Sequence, residues 1–436
     1  MRLNRRYYQV KNVKWGETTA FSKGTLTIQK SQLQEAVKPL MKSIASIDFQ
    51  LVEPGESCRI IHVLDGLTPM VKVSGNGYEY PGYFGSPETV GDGETNMLTG
   101  FAVVQSAPLP WETSSASSGL LYPRDAIMDM TGDIAGMSPF SETNNLVMVY
   151  DLMDGKSSAE YDQDIRLCSL KVAELLAKTT LECEPDEIET FSIEDTDDTL
   201  PNVVLVWQCQ NQGVYANTYL YGQSIDNLVP TLLHPNEMLD GCVISGNYVW
   251  PAFKVPTYLQ SNHPILLDLY RQHGKTLNFK GVIFSRSHNP TNWHKERSAN
   301  FCVKLAHYLK ANGLVMAWEG GGNAAVDGML TIQAAEKSGI KATTVTFEFG
   351  GPDGTEGVLL VDDVPEADAV ISGGSIEKPY TLPKVDRVVG GEVFRLEKES
   401  GGVFPPAHES YFFETTTHFY CSGNQSGHSK LFAESY

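Results

Sequence analysis

The sequence lacks the features that would place it in an oxidising compartment or in a membrane. Its seven cysteines are odd in number and widely spaced, and none forms a Cys-x-x-Cys pair, so a disulfide framework is not expected. No apolar run approaches the ~18 residues of a membrane span, and the first residues lack the apolar stretch of a signal peptide. These absences predict a reduced, cytoplasmic protein without a membrane segment.

Positive charge is also scarce. The 436 residues include 33 lysines and arginines against 53 aspartates and glutamates, which gives a formal net charge of −20. Nucleic acids and anionic membrane surfaces attract basic proteins, so the sequence predicts neither as a partner. The remaining composition, 41% hydrophobic and 20% charged residues, is ordinary for a globular chain with several domains of ~150 residues each.

Familiar metal and nucleotide motifs are missing as well. The ten histidines include no His-x-x-x-His or His-Glu-x-x-His spacing, and no Gly-x-Gly-x-x-Gly or P-loop sequence occurs. His408, His418 and His428 recur at an interval that fits neither a helix nor a strand, and surface histidines are the preferred interpretation. The sequence therefore predicts no metal site.

What the sequence does contain is a β-rich beginning followed by alternating strands and helices. Residues 1–145 hold short apolar runs between Gly, Pro and Asn turns, with one helix predicted near Gln32–Ile47. Region 146–275 is predicted to be α/β, and 276–400 alternates strand and helix as parallel sheets do. Residues 401–436 are expected to form a tail packed on the body. The predicted fold class is α/β, with a β-rich N-terminal region before parallel-sheet α/β domains.

Several smaller segments can also be placed. Trp111–Ser118 is polar and low in complexity, and Glu182–Leu200 is strongly acidic, so both are predicted to lie at the surface. A helix is predicted at Lys295–Ala311, entered through Asn292 or Thr291.

Three glycine-containing loops follow predicted strands of the third region. They are Glu319-Gly-Gly-Gly-Asn323, Glu348-Phe-Gly-Gly351 and Ser372-Gly-Gly374. Because the carboxyl ends of parallel strands meet at one edge of a sheet, where open α/β folds bind ligands, these loops predict a binding site. The predicted substrate-binding residues are Glu319, Gly321, Asn323, Glu348, Gly350 and Gly373. A pair of carboxylates here suits a substrate that carries an amine; two solvated turn acids are the alternative interpretation.

A stretch just past the middle of the chain carries the most specific pattern. It contains Asp240-Gly241, then Ser245-Gly246-Asn247, followed by Tyr248. This pattern resembles the processing site of the proprotein subunit of component B of glycine, sarcosine and betaine reductases, relatives of the D-proline reductase proprotein. The resemblance covers essentially the whole chain. It implies a family in which the next residue is Cys, the chain cuts itself before it, and the new N-terminus becomes an electrophilic pyruvoyl group.

Tyr248 stands where that family has cysteine, and its chemistry excludes the same processing. Self-cleavage needs a thiol or hydroxyl on Cβ, which attacks the preceding carbonyl through a five-membered ring and is then lost by β-elimination. The tyrosine hydroxyl lies at the far end of a rigid ring, and the aryl group on Cβ does not leave. We therefore expect no pyruvoyl group and no other cofactor. Tyr248 is expected to fill the pyruvoyl space or to act as a donor or acid.

Other residues of this stretch are candidate catalytic groups. The predicted catalytic residues are His234, Glu237, Asp240, Asn247 and Tyr248. For the first three, satisfied hydrogen bonding within a loop is the alternative interpretation. Cys242 is interpreted as a small buried hydrophobic residue, although its thiol chemistry leaves a displaced cleavage site as a minor alternative.

Two functional hypotheses follow from the resemblance. In the first, the chain is an unprocessed member of a reductase-like complex that binds a small amine or amino-acid-like substrate without a Schiff base. A second subunit with a redox-active cysteine or selenocysteine would supply reductive C–N cleavage or related chemistry. A quaternary amine would suit such a site, with Trp250, Trp293 or Tyr248 as a cation–π face. In the second hypothesis, the chain is a structural or substrate-binding subunit whose active site is vestigial.

Overall fold

The computed structural model of the protein describes residues 1–109, 125–194, 196–211, 218–246, 250–352, 363–395 and 405–429. The predicted surface loop at 111–118 and two predicted catalytic residues, Asn247 and Tyr248, lie outside these described residues.

The strands of the first half are β1 (Leu3–Gln9), β2 (Asn12–Trp15), β3 (Ala20–Ser22), β4 (Thr25–Ile28), β5 (Ile44–Val52), β6 (Cys58–Ile61), β7 (Val63–Leu67), β8 (Met70–Ser74), β9 (Gly93–Thr99), β10 (Phe101–Ser106), β11 (Ile127–Asp129), β12 (Asn144–Leu152) and β13 (Glu187–Phe191). Those of the second half are β14 (Asn202–Cys209), β15 (Tyr219–Leu220), β16 (Gln223–Ser224), β17 (Thr231–Leu233), β18 (Val243–Ile244), β19 (Asn278–Arg286), β20 (Gly313–Trp318), β21 (Lys341–Glu348), β22 (Val370–Ser375), β23 (Tyr380–Leu382), β24 (Arg387–Val389) and β25 (Tyr411–Phe413). The α-helices are α1 (Lys30–Val37), α2 (Ser158–Ala177), α3 (Pro235–Leu239), α4 (Thr257–Ser261), α5 (Pro264–Gln272), α6 (Asn292–Tyr308) and α7 (Asn323–Lys337).

The N-terminal half contains two four-stranded sheets joined by a long helix. Their strand orders are β13-β1-β9-β8 and β5-β12-β10-β7. Helix α2 begins at a capping box, in which the Ser157 hydroxyl accepts the N–H of Glu160 and the Glu160 carboxylate accepts the N–H of Ser157. Such a box satisfies backbone donors that no helical carbonyl reaches. Ile165, Leu170 and Leu176 of α2 are buried in a core shared with both sheets.

The helix predicted near Gln32–Ile47 is shorter than expected, and this prediction was wrong at its C-terminal end. Helix α1 ends at Val37, and Ile44–Val52 forms strand β5, which pairs with β12. Pro39 has no backbone N–H with which to continue the helical ladder. The β-branched residues that follow favour a strand once a partner strand is present.

The C-terminal half is organised around a six-stranded sheet of order β17-β19-β14-β20-β21-β22. All its neighbours pair in parallel except β17, which pairs antiparallel with β19. Val204 and Val206 of β14 pack towards α6 and α7, whereas Leu205 and Trp207 lie in the opposite core with α5. Because both faces of the central strands β14, β19 and β20 are covered, the sequences of these strands are mainly apolar. The predicted α/β class with a parallel sheet is confirmed.

Contacts between distant segments join the two halves. The predicted domain boundary at residue 275 lies between two neighbouring strands of the six-stranded sheet, since β14 precedes residue 275 and β19 follows it. Strand β24 pairs with β6, so the C-terminal region returns to the N-terminal one.

The acidic segment at 182–200 contains the edge strand β13, which is exposed at four of its five residues. Within the described ranges, no helix has both the length and the apolar character needed to cross a bilayer.

Candidate functional site

The candidate site lies where the parallel strands end. Strand β20 ends at Trp318, directly before Glu319, and the neighbouring strand β21 ends at Glu348. On its other side β20 pairs in parallel with β14, which is followed by Gln210. The carboxyl ends of parallel neighbours meet at one edge of the sheet. Glu319 and Glu348 therefore share the edge at which open α/β folds bind ligands.

Glu319 is buried at this edge and connects three segments of the chain. Its carboxylate accepts the backbone N–H of Gln210 at 2.7 Å and the backbone N–H of Val255 at 3.1 Å. The side-chain amide of Gln260 donates to it at 3.4 Å. Burial raises the pKa of Glu319 to about 7, while these donors and the nearby Lys254 oppose the shift. This carboxyl group can therefore gain or lose a proton near neutral pH.

A buried lysine that the sequence analysis did not single out lies in the same network. Lys254 is 2% exposed, and its Nζ has no hydrogen-bond partner in the described part of the chain. Asp65 Oδ1 lies 3.8 Å from this Nζ. Burial lowers the pKa of Lys254 and raises the pKa of Asp65, so the charged form of each group is disfavoured. The one sequence signal was a lone lysine within the apolar run from Pro251 to Pro256.

Aromatic rings pack beside these groups. Trp250 stacks on Phe253 with ring centroids 5.2 Å apart, and Phe253 stacks on Phe347 at 4.7 Å. Gly321 lies against this stack, because a Cβ at Gly321 would be 3.2 Å from Phe253 and 3.4 Å from Phe347. The structure thus brings together Gly321 and Trp250, which were predicted separately for substrate binding. An aromatic cluster of this kind attracts cations.

The other residues of the predicted binding edge occupy different environments. Asn323 is exposed at the first turn of α7, and its carbonyl oxygen accepts a hydrogen bond from Lys295 Nζ at 3.1 Å. Glu348 and Gly350 are buried at and just beyond the end of β21.

The third predicted loop, Ser372–Gly374, was wrongly placed, because these residues lie inside strand β22, whose Ser372 pairs with Thr346 of β21. A Cβ at Gly373 would come within 2.6 Å of the carbonyl oxygen of Asn424, and the Asn424 side chain donates to the Gly373 carbonyl at 2.8 Å. Glycine at 373 thus permits the C-terminal segment to approach the strand closely.

The residues that flank positions 247–249 are tied to this edge. The N–H of Ser245 donates to Thr257 Oγ1 at 2.9 Å, and the Thr257 hydroxyl donates to Asp65 at 2.6 Å. On the other side, Trp250 begins the aromatic stack. Asn247 and Tyr248 themselves lie outside the described residues.

His234 and Glu237 are brought together in the cap of helix α3. His234 Nδ1 accepts the N–H of Asn236 at 3.2 Å, and Glu237 accepts the N–H of His234 at 2.7 Å. The hydroxyl of Tyr221 also donates to Glu237, at 2.6 Å. Burial lowers the pKa of His234 to about 4, so its imidazole is neutral near pH 7.

Asp240 contacts the N-terminal sheet. It pairs with Lys72 of β8, and it accepts the hydroxyl of Thr95 at 2.6 Å and the N–H of Gly91 at 2.8 Å. The Asp240 side chain therefore has partners other than those of His234 and Glu237, and it fixes the end of helix α3 against the other half of the molecule.

Metal and thiol chemistry can be assessed from the same contacts. Over the residues that the structure describes, no group of three or more His, Cys, Asp or Glu side chains is arranged to hold a metal ion. All seven cysteines are free, and all except Cys183 are buried. Burial raises the pKa of every one of these thiols, including Cys242, so the protonated, unreactive form is favoured.

Known proteins similar to this chain are reductase subunits. The family model for glycine/sarcosine/betaine reductase component B subunits matches residues 1–434. Over 389 residues the chain is 36% identical to the glycine reductase complex component B subunits alpha and beta of Acetoanaerobium sticklandii, with 87% of each chain covered. It is 36% identical over 399 residues to the sarcosine reductase complex component B subunit alpha of Peptoclostridium acidaminophilum, with 89% of each chain covered.

A betaine reductase complex component B subunit alpha, also from Peptoclostridium acidaminophilum, is 35% identical over 418 residues, which are 92% of this chain and 91% of the relative. No solved structure matches the chain. The match along nearly its whole length means that the chain belongs to the family of glycine, sarcosine and betaine reductase component B subunits.

Proposed function

We propose that this chain is an unprocessed, pyruvoyl-free subunit of a glycine/sarcosine/betaine-reductase-like complex. The observation that carries the proposal is Tyr248, which follows the Ser245-Gly246-Asn247 pattern where the family's processing requires a cysteine. A phenol cannot reach the preceding carbonyl through a five-membered ring, and an aryl group is not eliminated from Cβ. The residue present therefore does not fit a pyruvoyl group.

The proposed substrate is a small amine or amino-acid-like molecule held without a covalent bond. A quaternary amine suits this mode best, because it cannot form a Schiff base and its charge is attracted by carboxylates and aromatic faces. The buried Glu319 and the stack of Trp250, Phe253 and Phe347 supply both features at one edge of the sheet. One relative is named as a betaine reductase subunit, and betaine is a quaternary amine.

The other predicted residues take distinct roles in this proposal. Gly321, Asn323, Glu348, Gly350 and Gly373 would shape the substrate edge together with Glu319. Asn247 and Tyr248 would contact the reacting part of the substrate. His234, Glu237 and Asp240 have hydrogen-bond partners that anchor the segment 234–240, so the proposal gives them a positioning role.

Reductive cleavage of a C–N bond consumes two electrons, which this chain's thiols are poorly suited to supply. Burial raises the pKa of all seven, and the attacking form of cysteine is the thiolate. We therefore assign the reductant to a partner subunit with a reactive thiol or selenol. The relatives' names, which describe components of complexes, support a heteromeric assembly.

A non-catalytic subunit is the second candidate function, and one observation favours it. Each carboxylate oxygen of Glu319 accepts a backbone N–H, from Gln210 and from Val255. A carboxylate whose two oxygens are bonded to the backbone can have a purely structural role. A vestigial site would retain such a residue for stability.

Glu348→Gln tests whether the sheet edge binds the proposed substrate. If the sheet edge binds a cationic amine, titration calorimetry with betaine should show ~10-fold weaker binding in this variant, the usual scale for one charged contact. The free energy of unfolding should change by less than the free energy of betaine binding does. Glu296→Gln, an exposed change on α6, is the matched control and should bind as the wild type does. Equal affinity in the wild type and Glu348→Gln would contradict the proposed binding edge, and a loss of stability alone would give Glu348 a structural role.

A further inference from the structure

One face of helix α6 exposes aromatic and basic side chains to solvent. Trp293 is 63% exposed and Tyr308 is 75% exposed, and Arg297 and Lys304 are exposed between them. With the partly buried Phe301, these residues recur at intervals of three and four and so share one side of the helix. We call Trp293, Arg297, Phe301, Lys304 and Tyr308 the α6 stripe.

The two cations of the α6 stripe lie over aromatic rings. Arg297 lies 5.7 Å from the ring centre of Trp293 and 5.3 Å from that of Phe301, and Lys304 lies 5.7 Å from Phe301. These contacts hold the cationic groups along the helix without neutralising them. The stripe contains no acid, although the chain as a whole has a net charge of −20. It is therefore a local reversal of the protein's charge.

The fold does not require this stripe. The opposite side of α6 is buried, with Cys302 and Ala306 packed in the core between the six-stranded sheet and α7. A shallow, open depression lies on α6 itself and is lined by Asn300, Val303, Lys304, His307 and Tyr308. Exposed Trp, Tyr and Arg are the residue types that contribute most to binding at protein interfaces. Such a surface indicates a partner rather than a solvated helix.

The position of α6 connects this surface with the candidate site. Helix α6 follows β19, a parallel strand of the six-stranded sheet, so its first turn lies at the carboxyl edge. In the same β19–α6 connection, the Ser287 hydroxyl donates to the backbone carbonyl of Glu319 at 3.4 Å. A protein docked along α6 would therefore meet the substrate edge at the Trp293 end.

We propose that the α6 stripe is the docking surface for an acidic protein partner, the reductant-bearing subunit of the complex. This inference rests on the proposed function. Charge complementarity identifies the occupant, because carboxylates of an acidic partner would pair with Arg297 and Lys304 while Trp293 and Tyr308 become buried. A two-fold dimer through the α6 stripe is disfavoured, since it would set one basic stripe against another.

The test uses the full chain and the subunit that co-purifies with it from its own cells. In the complex, amide hydrogen exchange should slow in the segment 292–308 relative to the free chain. The double variant Trp293→Ala/Arg297→Glu should bind the isolated partner at least ~10-fold more weakly, as the loss of interface hot spots does. Wild-type binding should also weaken as salt is raised. Phe412→Ala/Lys14→Glu, changes at exposed positions on other elements, is the matched control and should bind normally.

The outcomes separate this inference from the function on which it rests. A complex that forms with unchanged affinity in the α6 double variant would overturn the docking surface and leave the proposed function standing. Failure of the wild-type chain to form any complex would overturn both. Self-association of the free chain that the α6 variant abolishes would make a second copy the occupant and overturn the acidic partner.

Discussion

Glu319, Lys254 and Asp65 form a buried network in which each charged state is disfavoured by burial. Such groups change protonation state with small changes in their surroundings, and for this reason perturbed pKa values cluster at functional sites. The network joins the sheet edge to the residues that flank 247–249. At the scale of single residues, burial thus shifts the pKa values of three groups that lie in one network at the candidate site.

Glu319 predicts a specific dependence of stability on pH. Its pKa is about 7 in the folded protein against an ordinary value of 4.5, so the folded chain keeps a proton that the unfolded chain releases. The stability from this proton is fully present below the unfolded pKa and is lost as the pH rises through the folded pKa. Glu319→Gln lacks this contribution, so its deficit in unfolding free energy should shrink by roughly 2–3 kcal/mol between about pH 5 and about pH 8. Urea unfolding across this range measures it; a constant deficit would contradict the shifted pKa.

Asp240 predicts a large structural effect. Asp240→Ala would leave Lys72 buried without its carboxylate and remove the acceptor of Thr95 and Gly91. Removing one partner of a buried ion pair costs ~3–5 kcal/mol, so chemical denaturation should show a loss of this size. Asp226→Ala, at an exposed carboxylate, is a control and should cost far less. A near-neutral Asp240→Ala would show that Asp240 does not anchor the end of helix α3 to the N-terminal sheet.

At the scale of elements, the sequence pattern identified the parallel strands and their helices well. Thr291 was one of two predicted starts for its helix, and it caps α6 by accepting the N–H of His294. Apolar runs between turn residues were sufficient for β14, β19 and β20, because these strands are covered on both faces. The pattern failed where tertiary contacts decided the outcome, as at Ile44–Val52, which is a strand because β12 lies beside it.

Gly373 is another position where a tertiary contact decided the structure, and this contact predicts a measurable effect on stability. A Cβ there would meet the Asn424 carbonyl oxygen at 2.6 Å, whereas a Cβ at Gly313 of β20 would meet its nearest neighbour at an ordinary 3.4 Å. Gly373→Ala should destabilise the protein by ~1–3 kcal/mol, the usual cost of overpacking. It should also make the 405–429 segment more sensitive to limited proteolysis. Gly313→Ala is the matched control, and equal behaviour of the two variants would contradict the close approach.

At the scale of the whole molecule, the candidate site is assembled from segments far apart in the sequence. Asp65 comes from the N-terminal half, Lys254 from the middle, Glu319 from the parallel sheet, and Asn424 closes over β22 from the C-terminal region. The sequence located the ends of β20 and β21, because strand–helix alternation is local information, but it placed the end of β22 too early. It did not reveal Lys254, since a lone lysine among apolar residues has no local signature until its surroundings are known.

The measurement that tests the central claim most directly is the intact mass of the purified chain, combined with its reaction with phenylhydrazine. The account predicts one species near 47.9 kDa that forms no hydrazone, because Tyr248 cannot yield a pyruvoyl group. A pair of fragments corresponding to residues 1–247 and 248–436, with a carbonyl-reactive N-terminus on the second, would contradict it.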